Sequence, residues 1–467
     1  MKKRKLLSCL LTIALALGLA APALAAETET APGPVMQEAS PWAYTALADA
    51  YALGLVDDNY GLYIQNTVTQ EDLTSMTAIV ADKLALLGLP ENELAARELV
   101  IDTTRGGVMN ALYQEAAAYS LPGIELPAAD YLVSLGVVKG GQGGSLMAER
   151  PCTYQEAMVM ANRLILAIYD QNDAGSKGLL WKATNGTNTL YLLGTIHMDR
   201  GNVYPLHKSL RDAFDASQEA IFEVDLYDQE GIAEFQAMQV YSDGTTLKDH
   251  IPADLYADTV AVFAQLGMTE EQVSIYKPWV LMLILNNSMA QDGTTGSNVM
   301  VIDAYLTAAT LNSGKELGAI ETYAFQGAIF NNLSEEYQQE SLTAYVAMVK
   351  AALAGETAGA TEDEAAAQEA QAHLQAQYDA MMKAWQERNP EAMSELLDKE
   401  AVVNSDDEVN SKLFTERDPN MIKAAAEYLE TEGTNTFFMA VGAGHMLDPG
   451  GIVSGLKALG YTVELVK

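Results

Sequence analysis

Apolar residues follow two different spacings along this chain. From Pro41 to about Asp170 they recur every three or four positions, as in Ala46, Leu47, Ala50, Leu53 and Leu55. That period predicts short amphipathic helices. Gly54 and the polar Asp57-Asp58-Asn59 end the first. Thr69-Gln70-Glu71-Asp72 predicts the next start, because the Thr69 oxygen can accept a backbone N–H and acids in a first turn face the positive end of the helix dipole. Thr104-Arg105-Gly106-Gly107, ahead of Val108, Leu112 and Ala116, predicts another, and Ala129 to Val138 a further one. Thr153-Tyr154-Gln155-Glu156 opens a last helix with Glu156 at the third position of a capping box. These units read as weak internal repeats.

Past Tyr169-Asp170 the pattern changes. The polar stretch Gln171 to Ser176 marks a boundary. Leu179 to Thr184 and Thr189 to Ile196, joined by Asn185-Gly186-Thr187-Asn188, predict a hairpin turning at Asn-Gly. An amphipathic helix around Leu206 to Ala216 leads to the apolar run Ala220 to Leu226. Glu316 to Ile320, Thr436 to Gly442 and Thr462 to Val466 are further strand candidates, with helical stretches between them. Strands separated by helices predict an α/β fold, a central mixed sheet flanked by helices, preceded by a small all-α domain. Ala354 to Ala370, rich in Ala and Glu, reads as an exposed helix or a loose insertion.

Composition adds limits. With 467 residues, 49% of them hydrophobic and 19% charged, the chain can bury an extensive core. Met1 to Lys5 is basic, Leu6 to Leu19 is apolar, and Ala23-Leu24-Ala25 offers a small-residue cleavage site, so residues 1–26 read as a cleaved secretory signal. A secreted protein is expected, with no transmembrane anchor in the mature chain, because later apolar runs fall short of the roughly 20 residues a bilayer needs. Residues 27–40 read as a linker, 41–170 as the helical domain and 178–467 as the α/β domain. Cleavage leaves Cys152 as the sole thiol, which excludes an intrachain disulfide. The formal charge of −36 makes nucleic acid a poor partner.

The candidate chemistry lies in two of the five histidines. Leu192-Leu193-Gly194-Thr195-Ile196-His197 is matched by Ala440-Val441-Gly442-Ala443-Gly444-His445, each an apolar run reaching a glycine with a histidine three positions on. In an α/β sheet the carboxyl ends of strands are where ligands collect. There Gly194 and Gly442 would let backbone turn or approach closely. Glu223 stands between Phe222 and Val224, where a buried carboxylate requires a partner; alternation could instead turn it to solvent. Asp225 would share the face of Glu223 on a strand. His207, His250 and His373 lack matching partners and read as structural.

Two resemblances follow from these residues. Trp42-Ala43, Leu53-Gly54-Leu55 and Leu135-Gly136-Val137 resemble the repeats of S-layer homology domains, whose Thr-Arg-Ala-Glu signature appears here only as Thr-Gln-Glu, Thr-Arg-Gly and Thr-Tyr-Gln. That resemblance implies contact with a cell-wall polymer, the family's basic residue surviving at Arg105; the other reading is a helical spacer. The paired G-x-x-H motifs with Glu223 between them resemble the TraB/GumN family, which includes the Tiki-type metalloproteases. Tyr204-Pro205-Leu206, Lys277-Pro278-Trp279, Asp303, Gly318 to Thr322 and Glu416-Arg417-Asp418 support it over residues 178–467.

The resemblance implies a hydrolase using a divalent metal ion, Mn²⁺, Co²⁺ or Zn²⁺, with a peptide or protein as substrate. His197 and His445 would be ligands and Glu223 a third ligand or the general base, activating a water. Asp225 would stand behind them. Arg417 is a candidate partner for an oxyanion or a substrate carboxylate, or a surface salt bridge. Glu321 is a further acid near the site or a helix-start residue. A non-catalytic cell-surface protein binding a metal, haem or small ligand, and a metal-independent esterase, are the alternatives.

Overall fold

The computed structural model describes residues 36–92, 98–196, 203–290, 300–354 and 362–467. The expected export signal, His197 and part of the Ala/Glu-rich stretch lie outside these residues.

The N-terminal segment is helical: α1 (Tyr44–Ala52), α2 (Gln70–Ala85), α3 (Arg105–Ala117), α4 (Ala128–Ser134) and α5 (Tyr154–Gln171). The helix starts are set locally. Thr69 Oγ1 accepts from Asp72 N–H at 3.1 Å while the Asp72 carboxylate accepts from Thr69 N–H at 2.9 Å, so the box closes on an aspartate. Thr104 Oγ1 accepts from Gly107 N–H. Thr153 N–H donates to Glu156, whose carboxylate also pairs with Arg105 at 3.1 Å and with Arg150 at 2.5 Å.

This layer packs directly on the α/β part, and the buried apolar side chains form one continuous cluster from Ala39 to Val463. Helix α1 lies against the helix Ile302–Ser313, where Asp49 accepts from the Tyr305 hydroxyl at 2.7 Å. Lys83 Nζ donates to the Tyr204 carbonyl at 3.0 Å, and Arg211 pairs with Asp170.

Among the described residues the strands are β1 (Leu179–Thr184), β2 (Thr189–Thr195), β3 (Glu219–Phe222), β4 (Glu316–Ala319), β5 (Thr436–Gly442) and β6 (Thr462–Leu465). They form one mixed sheet in the order β4-β3-β5-β2-β1-β6. Strands β4, β3, β5 and β2 run parallel, and the hairpin partner β1 is antiparallel to both β2 and β6. Strands β2 and β5 are buried on both faces, which explains their near-continuous apolar sequences. Gly186, with φ +94°, makes the hairpin turn.

One strand departs from expectation. The run Ala220 to Leu226 ends its ladder at Phe222, which pairs with Ala319, the last residue of β4, and with Ala440, while β5 runs on to Gly442. Asp225 then folds back to accept from Tyr227 N–H at 2.8 Å, and its carbonyl accepts from Asp228 N–H. The chain has left the period-2 geometry that would put Asp225 beside Glu223. No helix among the described residues is long and apolar enough to cross a membrane.

Candidate active site at the parallel strand ends

Four parallel strands finish side by side, and the candidate residues follow from their ends. Thr195 of β2 is in register with Gly442 of β5, and Phe222 of β3 lies between Ala440 and Ala319. The residues immediately beyond, Glu223 after β3 and Glu321 two positions after β4, therefore meet. Glu321 N–H donates to the Glu223 carbonyl at 2.7 Å, holding the two backbones together.

Their carboxylates share one cation. Arg417, 3% exposed, stands at the start of the helix Asp418–Leu429. Its Nε and Nη2 donate to the two Glu321 oxygens at 2.8 Å each, and Nη2 also donates to Glu223 Oε2 at 2.6 Å. Burial alone would weaken the guanidinium's hold on its proton, but the charges of Glu223 and Glu321 outweigh it and hold the group above its ordinary range. Gln326, on the helix Tyr323–Asn331, bridges the same acids, its Nε2 lying 3.0 Å from Glu223 Oε2 and 2.9 Å from Glu321 Oε2. Glu223 Oε1 accepts from Gly442 N–H at 2.7 Å.

Several sequence readings are thereby decided. Glu223 is turned inward, its side chain 15% exposed. Arg417 is a buried counter-ion rather than a surface salt bridge, and its fork is engaged by protein carboxylates. Glu321 belongs to the cluster, while Thr322 caps the following helix by accepting from Phe325 N–H. Asp225 is occupied with its own turn.

His445 comes from a short helix, Ala443–Met446, that starts directly at the end of β5. Its Nδ1 is 2.7 Å from Asp418 Oδ1, and its Nε2 is 3.9 Å from Glu223 Oε1. The motif glycines serve contact rather than unusual torsion. A Cβ on Gly194 would stand 3.0 Å from Ala443 Cα, so a side chain there would push the histidine-bearing helix a few tenths of an ångström away from β2. A Cβ on Gly444 would stand 2.6 Å from the Phe414 ring. Gly442 has φ −50°, which any residue adopts; its contribution is the N–H given to Glu223.

As donors for an ion, His445 Nε2 and Glu223 Oε1 face one another. Among the described residues no group of three or more His, Cys, Asp or Glu side chains could hold a metal, and His197 lies outside those residues. Asp303, buried at the start of its helix, accepts from Thr195 Oγ1 at 3.2 Å. The remaining histidines stay apart. His207 caps α6 (Lys208–Asp215) and meets Asp173, His250 stacks on Tyr241 at 4.2 Å, and His373 is exposed.

Gln326 and Phe414 had no sequence signal of a role, and Asp418 appeared only as the third residue of Glu416-Arg417-Asp418. Their positions follow from which helices dock on the strand ends.

Against known proteins, the metalloprotease TIKI2 of Danio rerio is 26% identical over 310 residues, 59% of this chain and 58% of that protein. Metalloprotease TIKI1 of Danio rerio is 24% identical over 307 residues, 59% of this chain and 60% of the relative. A metalloprotease TIKI homolog of Nematostella vectensis is 21% identical over 310 residues, covering 60% and 65%. The chain thus spans roughly three-fifths of the length of these curated relatives. No solved structure matches. The model of the TraB/PrgY/gumN family matches residues 179–465, from β1 to β6, leaving α1 to α5 outside. Because that span is more than half of the chain and contains both G-x-x-H motifs, Glu223 and Arg417, the chain belongs to the TraB/PrgY/gumN family.

Proposed function

We propose that this protein is an exported, metal-dependent hydrolase acting on peptides or proteins, with His197, Glu223 and His445 at its centre. The observation that carries the reading is the pair His445 Nε2 and Glu223 Oε1, 3.9 Å apart at the mouth of the parallel strands. His445 Nδ1 rests on Asp418, and Glu223 is held by Arg417, Gln326 and the Gly442 N–H. The metalloprotease names of the relatives support the reaction class.

The two described donors fit a divalent ion: an imidazole whose other nitrogen rests on a carboxylate, and a carboxylate oxygen facing it. His445 would hold it through Nε2 and Glu223 through Oε1, with His197 of the first motif as the further ligand. Such an ion supplies Lewis acidity, lowering the pKa of a water and polarising a carbonyl. Glu223 acts as an anionic ligand in this reading rather than as the general base. Its Oε2 is engaged by Arg417 and Gln326 and its Oε1 accepts from the Gly442 N–H, so the carboxylate is held as an anion by hydrogen-bond donors rather than placed to carry a proton. Arg417 balances the charge of the two acids and fixes the rotamer of Glu223.

The N-terminal helices serve this body rather than a wall polymer in our reading. Arg105, the basic residue a polymer would need, has its charge on Glu156 and its Nε on the Leu146 carbonyl. The test is titration of the chain from residue 27 onward with Mn²⁺, Co²⁺ and Zn²⁺, and assay on a peptide library, beside His197→Ala, Glu223→Gln and His445→Ala. Loss of binding and cleavage in each variant is expected. Equal metal affinity in all four proteins refutes the site.

A further inference from the structure

We propose that Asp418 and Lys399 are positioning residues that set the tautomer of His445, placing the ring's lone pair on Nε2, the atom that faces Glu223. Lys399 lies on the short helix Lys399–Val403 with its side chain 1% exposed. Its Nζ donates to Asp418 Oδ2 at 2.7 Å and to the Leu447 carbonyl at 2.8 Å, and stands 4.9 Å from the centre of the Phe414 ring. A buried ion pair is a poor way to add stability, since apolar residues of similar volume commonly do as well or better. The lysine therefore calls for a geometric explanation, and its two acceptors supply one. Asp418 anchors the imidazole, and Leu447 is the residue that ends the helix carrying it.

The ring is fixed from two sides. Asp418 Oδ1 meets Nδ1, Phe414 packs on the imidazole with centroids 5.3 Å apart, and Gly444 admits that phenyl ring where a side chain would collide. A carboxylate beside an ammonium is acceptor only, so the hydrogen in the Nδ1–Oδ1 bond belongs to the imidazole. A neutral histidine with its hydrogen on Nδ1 has its lone pair on Nε2. The 3.9 Å from Nε2 to Glu223 Oε1 is too long for a hydrogen bond, so Glu223 does not fix the tautomer.

The lysine makes the consequence testable. In Asp418→Asn the ammonium requires the amide oxygen, which turns the amide NH₂ toward Nδ1 and forces the ring's hydrogen onto Nε2. In Lys399→Met with Asp418→Asn nothing holds the amide, which can flip and present its oxygen to Nδ1, restoring the original tautomer. The double variant also removes both buried charges together, the change such a site tolerates best.

The inference rests on the proposed function only for what Nε2 binds, so the test has two readings. Long-range ¹H–¹⁵N spectra of the metal-free chain, labelled at histidine and assigned with His445→Gln, report the tautomer. The expected series is hydrogen on Nδ1 in the wild type, on Nε2 in Asp418→Asn, and on Nδ1 again in the double variant. Mn²⁺ titration should weaken about 10- to 100-fold in Asp418→Asn and recover in the double variant. An Asp418→Asn protein that keeps the wild-type tautomer, or a double variant that keeps the inverted one, overturns the positioning roles. Inversion and recovery with unchanged Mn²⁺ affinity leaves the positioning standing and refutes the metal reading of His445.

Discussion

Arg417→Met is the substitution whose effect is most directly set by the structure. The guanidinium makes three charge-assisted hydrogen bonds, at 2.8, 2.6 and 2.8 Å, to two acids whose side chains are 15% and 5% exposed. Methionine fills similar volume but removes the cation, leaving Glu223 and Glu321 facing one another across the Gln326 amide. Removing one partner of a buried ion pair costs about 3–5 kcal/mol, most of it from the charge left behind, and here two charges are left. Summing the three bonds separately would overshoot, because they share one desolvation cost. The expected loss is therefore about 4 kcal/mol, near the middle of that range. If stranded charge is the cause, Glu321→Gln added to Arg417→Met should restore stability relative to the single variant, with a coupling on the order of 2 kcal/mol. Urea unfolding followed by tryptophan fluorescence and far-ultraviolet circular dichroism measures all four corners of the cycle, and coincident transitions license the free energies. A loss below about 1 kcal/mol in Arg417→Met, the value of a solvated surface pair, would refute the buried cluster. Additive effects of the two substitutions would refute the shared-charge argument.

Three further outcomes are expected. Enclosure between α1 and the helix Ile302–Ser313 raises the Asp49 carboxyl above its usual range, with Tyr305, Arg211 and Asn162 pulling it back and Asp215 adding to the rise. The folded state then holds this proton more tightly than the unfolded one, so stability falls as pH rises from about 4 through the raised value. In Asp49→Asn that segment of the stability–pH curve should flatten; thermal unfolding across the range checks it, and an unchanged slope counts against the assignment. Cys152 is fully buried and its thiol is pushed up to about 12 by burial, with the Glu156 charge adding to the rise. An aromatic disulfide reagent near neutral pH should find no reactive thiol in the folded chain from residue 27 and one equivalent after denaturation. Gly194→Ala should destabilise the protein by about 1–3 kcal/mol, because the new methyl meets Ala443 Cα at 3.0 Å and that backbone cannot yield without moving the His445 helix. Its Mn²⁺ affinity should fall as well, and a stable variant with undiminished affinity would show that the contact is not constraining.

The features that could be read from the sequence are those decided within a few residues. Thr69, Thr104 and Thr153 start their helices because their partners are three positions away. The Asn185-Gly186 turn fixes the hairpin, and the two G-x-x-H motifs mark strand ends through a local change from apolar run to glycine. Glu223 stood out because a carboxylate among apolar residues needs a partner. Which partner could not be read, since Arg417 is 194 positions from Glu223 and 96 from Glu321. The end of β3 was equally hidden, because it depends on where β4 stops and on the turn that Asp225 makes, and extending the alternation past Phe222 carried Asp225 onto a strand that has already ended.

The same contrast explains the division of labour at the site. The second motif supplies His445 and the first supplies Gly194, and the second does not by itself fix the direction of the imidazole. Direction comes from the helix Asp418–Leu429, which docks at the strand ends. The start of Asp418–Leu429 delivers Arg417 to the acids and Asp418 to the imidazole from adjacent positions, so a single helix end sets both halves of the constellation. Gly194 of the first motif makes room for the helix of the second, and the main-chain N–H of Gly442 reaches the glutamate between them. A shift of that helix end would misplace Glu223 and His445 together. The motifs are therefore insufficient on their own: a chain keeping both G-x-x-H segments and the glutamate, but lacking Arg417 and Asp418, would keep the donors and lose the geometry that points them at one another.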